Sequence, residues 1–180
     1  MQLLAISGSL RAASSNSVLL RAAAQLAPEG VEVRLYEHMG ELPHFNPELD
    51  IAPEVAWLKR AVVEADGILF CTPEYVHGLP GSLKNLLDHL VSDGELWDKP
   101  VAVLSARKSE FAEPQLREIL RTLMASVCEE ASVLVPFPSN KITVEDVLAR
   151  PELSEPLREA MGVFSSFVAV ARIQSAAKAK

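Results

Sequence analysis

The chain has 180 residues, of which 49% are hydrophobic and 23% charged, so it is long enough for one folded domain and too apolar for a disordered one. Its net charge of −7 leaves no basic field for nucleic acid or for an anionic membrane surface, so we expect neither partner. Two cysteines are too few for a disulfide framework, and no spacing of ligand residues predicts a bound metal.

The first half of the chain alternates short apolar runs with segments of helical period. Residues 3–6 predict a strand, and apolar side chains recur at helical spacing over residues 18–26. Apolar and charged residues alternate over residues 31–36, as they do in an edge strand. Residues 38–53 contain three prolines and predict an irregular connection, after which residues 55–62 predict a second helix.

The second half continues this alternation. Residues 67–72 predict a buried strand, and leucines at helical spacing predict a helix over residues 80–90. Residues 101–105 predict a fourth strand, which is followed by a helix over residues 116–123. Residues 132–137 predict the fifth strand.

A closing helix over residues 153–173 completes the pattern, with its apolar side chains on one face. Strands that alternate with helices need crossover connections, and these produce a parallel sheet with helices on both faces. We therefore predict one three-layer α/β domain over residues 1–175 and a frayed tail at residues 176–180.

The compartment is predicted from two features. The first residues lack the basic region and the long apolar run of a signal peptide. No uninterrupted apolar stretch approaches the roughly 18 residues of a membrane helix. We therefore expect a cytoplasmic protein that does not insert into a membrane.

Two loops are the candidate sites. Ligands of open α/β sheets bind outside the carboxyl ends of the strands, where the strand order reverses. In the order 2-1-3-4-5 this point lies between strands one and three, and so beside the loops after Ile6 and Thr72. Three of the eight glycines, Gly8, Gly78 and Gly81, lie in these loops.

The first of these loops, residues 7–16, carries four serines, one asparagine and Arg11, and it opens a helix. The unpaired N–H groups and positive dipole end of a helix N-terminus suit a phosphate, and a guanidinium adds a charge-assisted contact. A simple N-cap at Ser14, Ser15 or Asn16 explains the same residues, so both interpretations stay open here. The second loop has two prolines and two glycines within nine residues, and such a stiff turn presents backbone groups to a flat polar ring.

The segments GSLRAASSN and TPEYVHGLPGSLKN resemble those of the NADPH-dependent FMN reductase family, a flavodoxin-like group that includes quinone, azo-dye and chromate reductases. The segment LPHFNPELD is similar to that family's loop after strand two. The resemblance implies a flavodoxin-like three-layer fold with a five-stranded parallel sheet of order 2-1-3-4-5. It also implies FMN as cofactor, NADPH or NADH as reductant, and a quinone, azo compound or free flavin as acceptor, with no catalytic acid or base in the protein.

The resemblance assigns residues of both loops to the cofactor by position. The residues that match the family's phosphate ligands are Ser9, Arg11, Ser14 and Asn16. The residues that match its support for the isoalloxazine ring, largely through backbone groups, are Pro73, Glu74, Tyr75, Val76 and Gly78. Arg11 is then the one full positive charge expected at the phosphate.

Two departures from the family pattern concern this site. The family usually has Asn and Ser where this chain has Val76 and Gly78, so a side-chain hydrogen bond is lost. Its loop after strand four is commonly glycine-rich, whereas residues 105–111 contain no glycine and carry Arg107 and Lys108. Such a loop lowers flavin affinity, reshapes the substrate pocket or supplies a cation to an NADPH phosphate. A flavodoxin-like binding or regulatory protein with weakened flavin binding is therefore the alternative function.

Other residues have simpler interpretations. Cys71 ends a buried strand near the expected flavin, where it is either a redox-active thiol or, more simply, a core residue. Ser82, Asp88 and His89 lack the nucleophile elbow that a hydrolase needs. The resemblance implies a homodimer or homotetramer, for which Trp97 is a candidate interface anchor.

Overall fold

A computed structural model of the protein describes residues 1–11 and 13–178, and it shows five parallel strands in one sheet of order β2-β1-β3-β4-β5. The strands are β1 (Gln2–Ser7), β2 (Glu32–Leu35), β3 (Gly67–Cys71), β4 (Pro100–Val103) and β5 (Ser126–Val127). The helices are α1 (Ser15–Leu26), α2 (Pro53–Glu64), α3 (Gly81–Asp88), α4 (Ala112–Thr122), α5 (Val144–Ala149) and α6 (Pro151–Lys178), with a 3₁₀ helix at Met39–Glu41. The predicted α/β fold and strand order are confirmed.

Strand β1 lies between β2 and β3, so the strand order reverses between β1 and β3. Leu4 of β1 lies opposite Arg34 of β2 on one side and Ile68 of β3 on the other. At the carboxyl edge Ser7 lies opposite Cys71, so the chain leaves two adjacent strands from the same place. From there it continues into α1 on one face of the sheet and into α3 on the other.

Each face of the sheet has its own hydrophobic core. All five residues of β3 are buried, with Leu69 and Cys71 in the core beneath α1 and α6 and Phe70 in the core beneath α2, α3 and α4. Burial on both faces explains why the strand is a continuous apolar run. A Cβ at Gly67 would lie 2.8 Å from a methyl carbon of Val168, so glycine lets α6 pack directly on the start of β3.

The prediction of the fifth strand at residues 132–137 is wrong. The structure places β5 at Ser126–Val127, where it pairs in parallel with the start of β4. Both residues of β5 are only half-buried, and two residues are too short to show an apolar period. The apolar run at residues 132–137 therefore predicted a strand more strongly than β5 did, although it lies beyond the residues that pair with the start of β4.

The predicted segment still continues alongside β4 after an interruption. Leu134 pairs in parallel with Ser105 through a single bridge. The Ser132 hydroxyl spans the gap, because it accepts a hydrogen bond from Val103 N–H at 3.0 Å and donates one to the Cys128 carbonyl at 2.8 Å. The last strand is thus split, and its second piece carries the chain to the carboxyl edge of the sheet.

Two helices follow the split strand. Helix α5 lies outside the predicted elements, and it begins with a capping box in which Thr143 and Asp146 each bond the other's backbone N–H. Helix α6 contains the predicted closing helix and is longer at both ends. The tail expected at residues 176–180 overlaps the end of α6 up to residue 178, and residues 179–180 lie outside the described part of the chain.

Helix α6 is the longest helix that the structure describes, and much of it is apolar. By length and composition alone, its residues Pro151–Ala177 are sufficient to cross a membrane. The side chains of Leu157, Phe164 and Val168 are fully buried in the core that α6 shares with α1. Packing against the sheet therefore explains the apolar face of this helix.

Candidate functional site

Three loops meet at the carboxyl edge of the sheet and enclose a cleft of about 320 Å³, which we call the three-loop cleft. They follow β1, β3 and β4 and comprise residues 8–11 with 13–14, residues 72–80 and residues 104–111. The cleft lies at the predicted switch point between β1 and β3, where open α/β sheets bind ligands. Its volume is in the range of small-molecule sites.

The three-loop cleft brings together seven of the nine residues that the sequence predicts for a cofactor. These are Ser9, Arg11, Ser14, Asn16, Pro73, Glu74 and Tyr75. Val76 and Gly78 lie in the same loop but not on the cleft wall. The other wall residues are Ala13, Ser15, Thr72, Ala106, Arg107, Lys108, Ser109 and Asn140. Asn140 belongs to no motif, so nothing in the sequence marks it as a wall residue.

Gly8 allows the first two loops to approach each other. Its N–H donates to the Cys71 carbonyl at 2.8 Å. A Cβ at this position would lie 2.5 Å from Thr72 Oγ1 and 3.0 Å from a methyl carbon of Leu83. A side chain at position 8 would therefore push the loops apart.

Helix α1 begins at the cleft wall. The Ser14 hydroxyl accepts a hydrogen bond from Ser17 N–H at 3.0 Å, so Ser14 is the N-cap of the helix. Asn16 is buried in the first turn, and Arg11 is exposed in the loop before it. Capping and anion binding are compatible here, because the cap uses one of the free N–H groups and leaves others at the cleft.

A tight turn closes the second loop. Tyr75 and Gly78 each donate their backbone N–H to the other's carbonyl, at 3.0 and 3.1 Å. The two residues between them, Val76 and His77, adopt left-handed backbone conformations with φ of 50° and 56°. Asn and Gly are the usual residues in such a turn, and a β-branched residue is strained there. Val76 is 98% exposed, so no packing compensates for this strain.

The side chain of Glu74 joins the second loop to the third. Its Oε2 accepts hydrogen bonds from Phe111 N–H at 2.9 Å, Ala112 N–H at 3.2 Å and the Ser109 hydroxyl at 2.8 Å. Helix α4 starts at Ala112 and has no side-chain cap from its own N-cap residue, so Glu74 caps it from a distance. The bonds from Phe111 and then Ser109 hold the pKa of Glu74 below its usual value, so it is ionised at neutral pH.

The third loop adds two cations to the cleft. Arg107 and Lys108 are exposed on its wall, and the Arg107 guanidinium donates to Asn140 Oδ1 at 2.6 Å. Among the described wall residues, these two and Arg11 are the cations and Glu74 is the carboxylate. The cleft is therefore locally positive on a chain of net charge −7, and Arg11 is not its one full positive charge.

Cys71 lies beneath the cleft in the hydrophobic core. Its side chain is fully buried, and burial raises the pKa of the thiol far above its usual value. Nucleophilic cysteines are thiolates in positive, accessible surroundings, so this environment favours a structural thiol over a redox-active one. The sulfur donates a hydrogen bond to Asn16 Oδ1 at 3.2 Å.

The structure provides no support for a hydrolase or a metal centre. The His89 ring lies 2.9 Å from the Pro43 carbonyl, and Asp88 pairs with Lys84. Both side chains therefore have partners other than Ser82. Within residues 1–11 and 13–178, no group of three or more His, Cys, Asp and Glu side chains is arranged to hold a metal ion.

Comparison with known proteins gives consistent similarities. The model of the NADPH-dependent FMN reductase family matches residues 1–139. An NAD(P)H-dependent FMN reductase of Pseudomonas aeruginosa is 29% identical over 177 residues, which cover 93% of this chain and 95% of that protein. A quinone reductase of Escherichia coli is 28% identical over 152 residues, which cover 79% and 81% of the two chains. The solved structure of the flavoenzyme FerB, an NAD(P)H:(acceptor) oxidoreductase of Paracoccus denitrificans, aligns with a TM-score of 0.72 and 26% identity over 95% of this chain and 97% of its own.

Proposed function

Since this chain belongs to the NADPH-dependent FMN reductase family, we propose that the three-loop cleft is its FMN site. The chain is an FMN-dependent NAD(P)H oxidoreductase that uses NADPH or NADH as reductant. One observation supports the choice of site above all others. The N-terminus of α1 and the loops after β3 and β4 meet at one cleft, which combines an anion site with a wall for a planar ring.

The first loop holds the phosphate in this proposal. Arg11 supplies a guanidinium, Ser9 and Asn16 supply short polar side chains, and the first turn of α1 supplies free N–H groups. The Ser14 hydroxyl is engaged at the helix cap, so we assign Ser14 the task of orienting that first turn. These side chains and N–H groups fit a phosphate, since each of them is neutral or positive.

The second loop supports the ring. Pro73, Glu74 and Tyr75 line the cleft, and the carboxylate of Glu74 fixes this segment on α4, so we assign their backbone groups to the ring. Val76 and Gly78 lie outside the wall, so we assign them to the turn that shapes the loop rather than to direct contact. The glycine-free third loop lines the cleft with Ala106 and contributes two cations, Arg107 and Lys108.

When bound, FMN would supply the redox chemistry, which is hydride and electron transfer between the nicotinamide and the acceptor. The protein binds and orients the reactants. The carboxylate of Glu74 is occupied by three donors and ionised, so it does not serve as a general acid. A quinone, azo compound or free flavin is the acceptor we propose, and the similarity to a quinone reductase supports a small-molecule acceptor.

We also propose that the protein is a homodimer or homotetramer in the cytoplasm. Several large apolar side chains are exposed near α2 and the connection before it, and they are Phe45, Leu49, Ile51 and Trp57. Trp97 is exposed as well, whereas the leucines of α3 are buried core residues, as their spacing suggests. Both cysteines are unpaired and buried, which is compatible with a reducing compartment. Light scattering of the purified protein measures the subunit count, and a monomer would contradict the oligomer.

Spectroscopy of the purified protein tests the function. After incubation with FMN and desalting, we expect flavin absorption bands that bleach with NADPH or NADH and return when a quinone is added. A protein that keeps no flavin and shows no measurable FMN affinity would instead support the alternative, a flavodoxin-like binding or regulatory protein. Val76 in its strained turn and the glycine-free third loop are the features that favour that alternative.

A further inference from the structure

Cys71 lies beneath the three-loop cleft and contacts one residue of its wall, Asn16. It is the last residue of β3 and is fully buried. Its sulfur donates a hydrogen bond to Asn16 Oδ1 at 3.2 Å. One side chain thus links the end of β3 to the first turn of α1.

The direction of the Cys71–Asn16 hydrogen bond follows from the chemistry of the two groups. A thiol has one proton to donate and is a weak acceptor. Burial raises the pKa of the Cys71 thiol, so the proton stays on the sulfur. The thiol proton is therefore directed at Asn16, and an amide can accept it only through its oxygen.

The orientation of the Asn16 amide decides whether Asn16 presents a donor or an acceptor to the cleft. With Oδ1 held by the sulfur, Nδ2 is the remaining polar atom, and no described residue accepts a hydrogen bond from it. Asn16 is a wall residue of the cleft and is only 8% exposed, so bulk water has little access to its amide as a hydrogen-bond partner. The reverse orientation would present the oxygen to the cleft, and an oxygen repels an anion.

We propose that Cys71 is a positioning residue that locks the Asn16 amide with Nδ2 available as a donor to the FMN phosphate. This inference rests on the proposed function, because it requires an anion at the first loop. It gives the buried thiol a role in cofactor affinity that needs neither a thiolate nor any change in its redox state.

Substitutions of Cys71 test the proposal through FMN affinity, measured as quenching of flavin fluorescence in a titration. Cys71→Val keeps a side chain of similar size without a donor, and we expect it to raise the dissociation constant about five- to tenfold, somewhat less than one direct hydrogen bond to a charge contributes. Cys71→Ser keeps a donor, and we expect its dissociation constant to stay within about twofold of the original. A serine variant as weak as the valine variant would show that packing matters and would overturn the proposal.

The same valine substitution in an Asn16→Ala background gives the second readout. If the thiol acts through the Asn16 amide, Cys71→Val causes no further loss once the amide is gone. A loss of the same size in both backgrounds, or a wild-type affinity in Cys71→Val itself, would overturn the proposal. Circular dichroism checks that each variant is folded, and Cys71→Ala replaces the valine variant if that one is not.

The unsubstituted chain separates the two hypotheses. If it binds no FMN at all, the proposed function fails and this inference fails with it. If it binds FMN and the valine variant binds equally well, only the role of Cys71 is refuted.

Discussion

The Glu74 carboxylate accepts a hydrogen bond of 2.9 Å from the backbone N–H of Phe111, so a side chain of the second loop caps a helix that begins after the third. Capping usually comes from the residue just before a helix, yet the N-cap residue here is Phe111, which has no polar side chain. The position of the third loop therefore depends on the second. A family pattern read along the chain assigns Glu74 to the ring through its backbone and misses this role of its side chain.

Removal of the Glu74 carboxylate should loosen the third loop. We expect Glu74→Ala to lower the urea midpoint of unfolding, because the N–H groups of Phe111 and Ala112 lose their acceptor. Glu118→Gln is a matched control, since this exposed carboxylate on the same helix has no side-chain partner among the described residues. An equal midpoint for both variants would contradict the capping role.

The same carboxylate predicts a pH dependence. Hydrogen bonds from Phe111 and Ser109 lower the pKa of Glu74 in the folded chain below the ordinary value of 4.5. A lowered pKa means that the stabilisation is present above the unfolded pKa and is lost as the pH falls through the folded one. The stability difference between the original chain and Glu74→Gln should therefore shrink as the pH falls below 4.5. Urea titrations at a series of pH values measure it, and a difference that grows on acidification would refute the assignment.

The sequence predicted the elements that have clear apolar periods and failed where the contacts are not local. The buried strands and the helices that pack on them follow from periods of two and 3.6, whereas the sheet order 2-1-3-4-5 was implied by the family resemblance. The split of the last strand depends on the Ser132 hydroxyl, which bonds Val103 and Cys128. A side chain that replaces a ladder hydrogen bond has no periodic signature.

At the candidate site, the residues of the two motifs were predictable and the bonds between loops were not. Seven of nine predicted residues line the three-loop cleft, because motif residues at adjacent strand ends must meet. The Arg107–Asn140 hydrogen bond joins residues 33 positions apart, and Asn140 carries no pattern of its own. The left-handed conformation of Val76 was also not predictable from the sequence, since Val is among the residues that adopt this conformation least often.

The turn between Tyr75 and Gly78 offers a stabilising substitution. Val76 has φ of 50° and an exposed side chain, so its replacement removes strain without removing a packed group. We expect Val76→Asn to stabilise the protein by about 1 kcal/mol, because the left-handed region costs ordinary residues about 1–2 kcal/mol and asparagine tolerates it. Chemical denaturation measures the change. Val91→Asn, at another exposed valine without a positive φ, should not stabilise the chain.

Two glycine substitutions should have opposite effects. Gly8→Ala places a Cβ 2.5 Å from Thr72 Oγ1, and we expect a loss of about 1–3 kcal/mol, which is typical of overpacking. Gly162→Ala, in the interior of α6 with no atom within 4 Å of the new Cβ, should instead stabilise the chain by about 0.5–1 kcal/mol. Thermal unfolding compares the two variants. Equal effects would mean that the close approach of the first two loops does not constrain position 8.

The charge of the cleft predicts which arginine matters for FMN. Arg11 and Arg107 both line the cleft, but the guanidinium of Arg107 is already bonded to Asn140. We expect Arg11→Ala to weaken FMN binding by about 1.5–3 kcal/mol, which is roughly 10- to 150-fold in the dissociation constant, since this is the scale of a hydrogen bond to a charged group. Arg158→Ala removes the same charge from an exposed position on α6, so it controls for the change in net charge. If fluorescence titration gives both variants the affinity of the original chain, the phosphate does not lie at the first loop, and the cations of the third loop become the next residues to test.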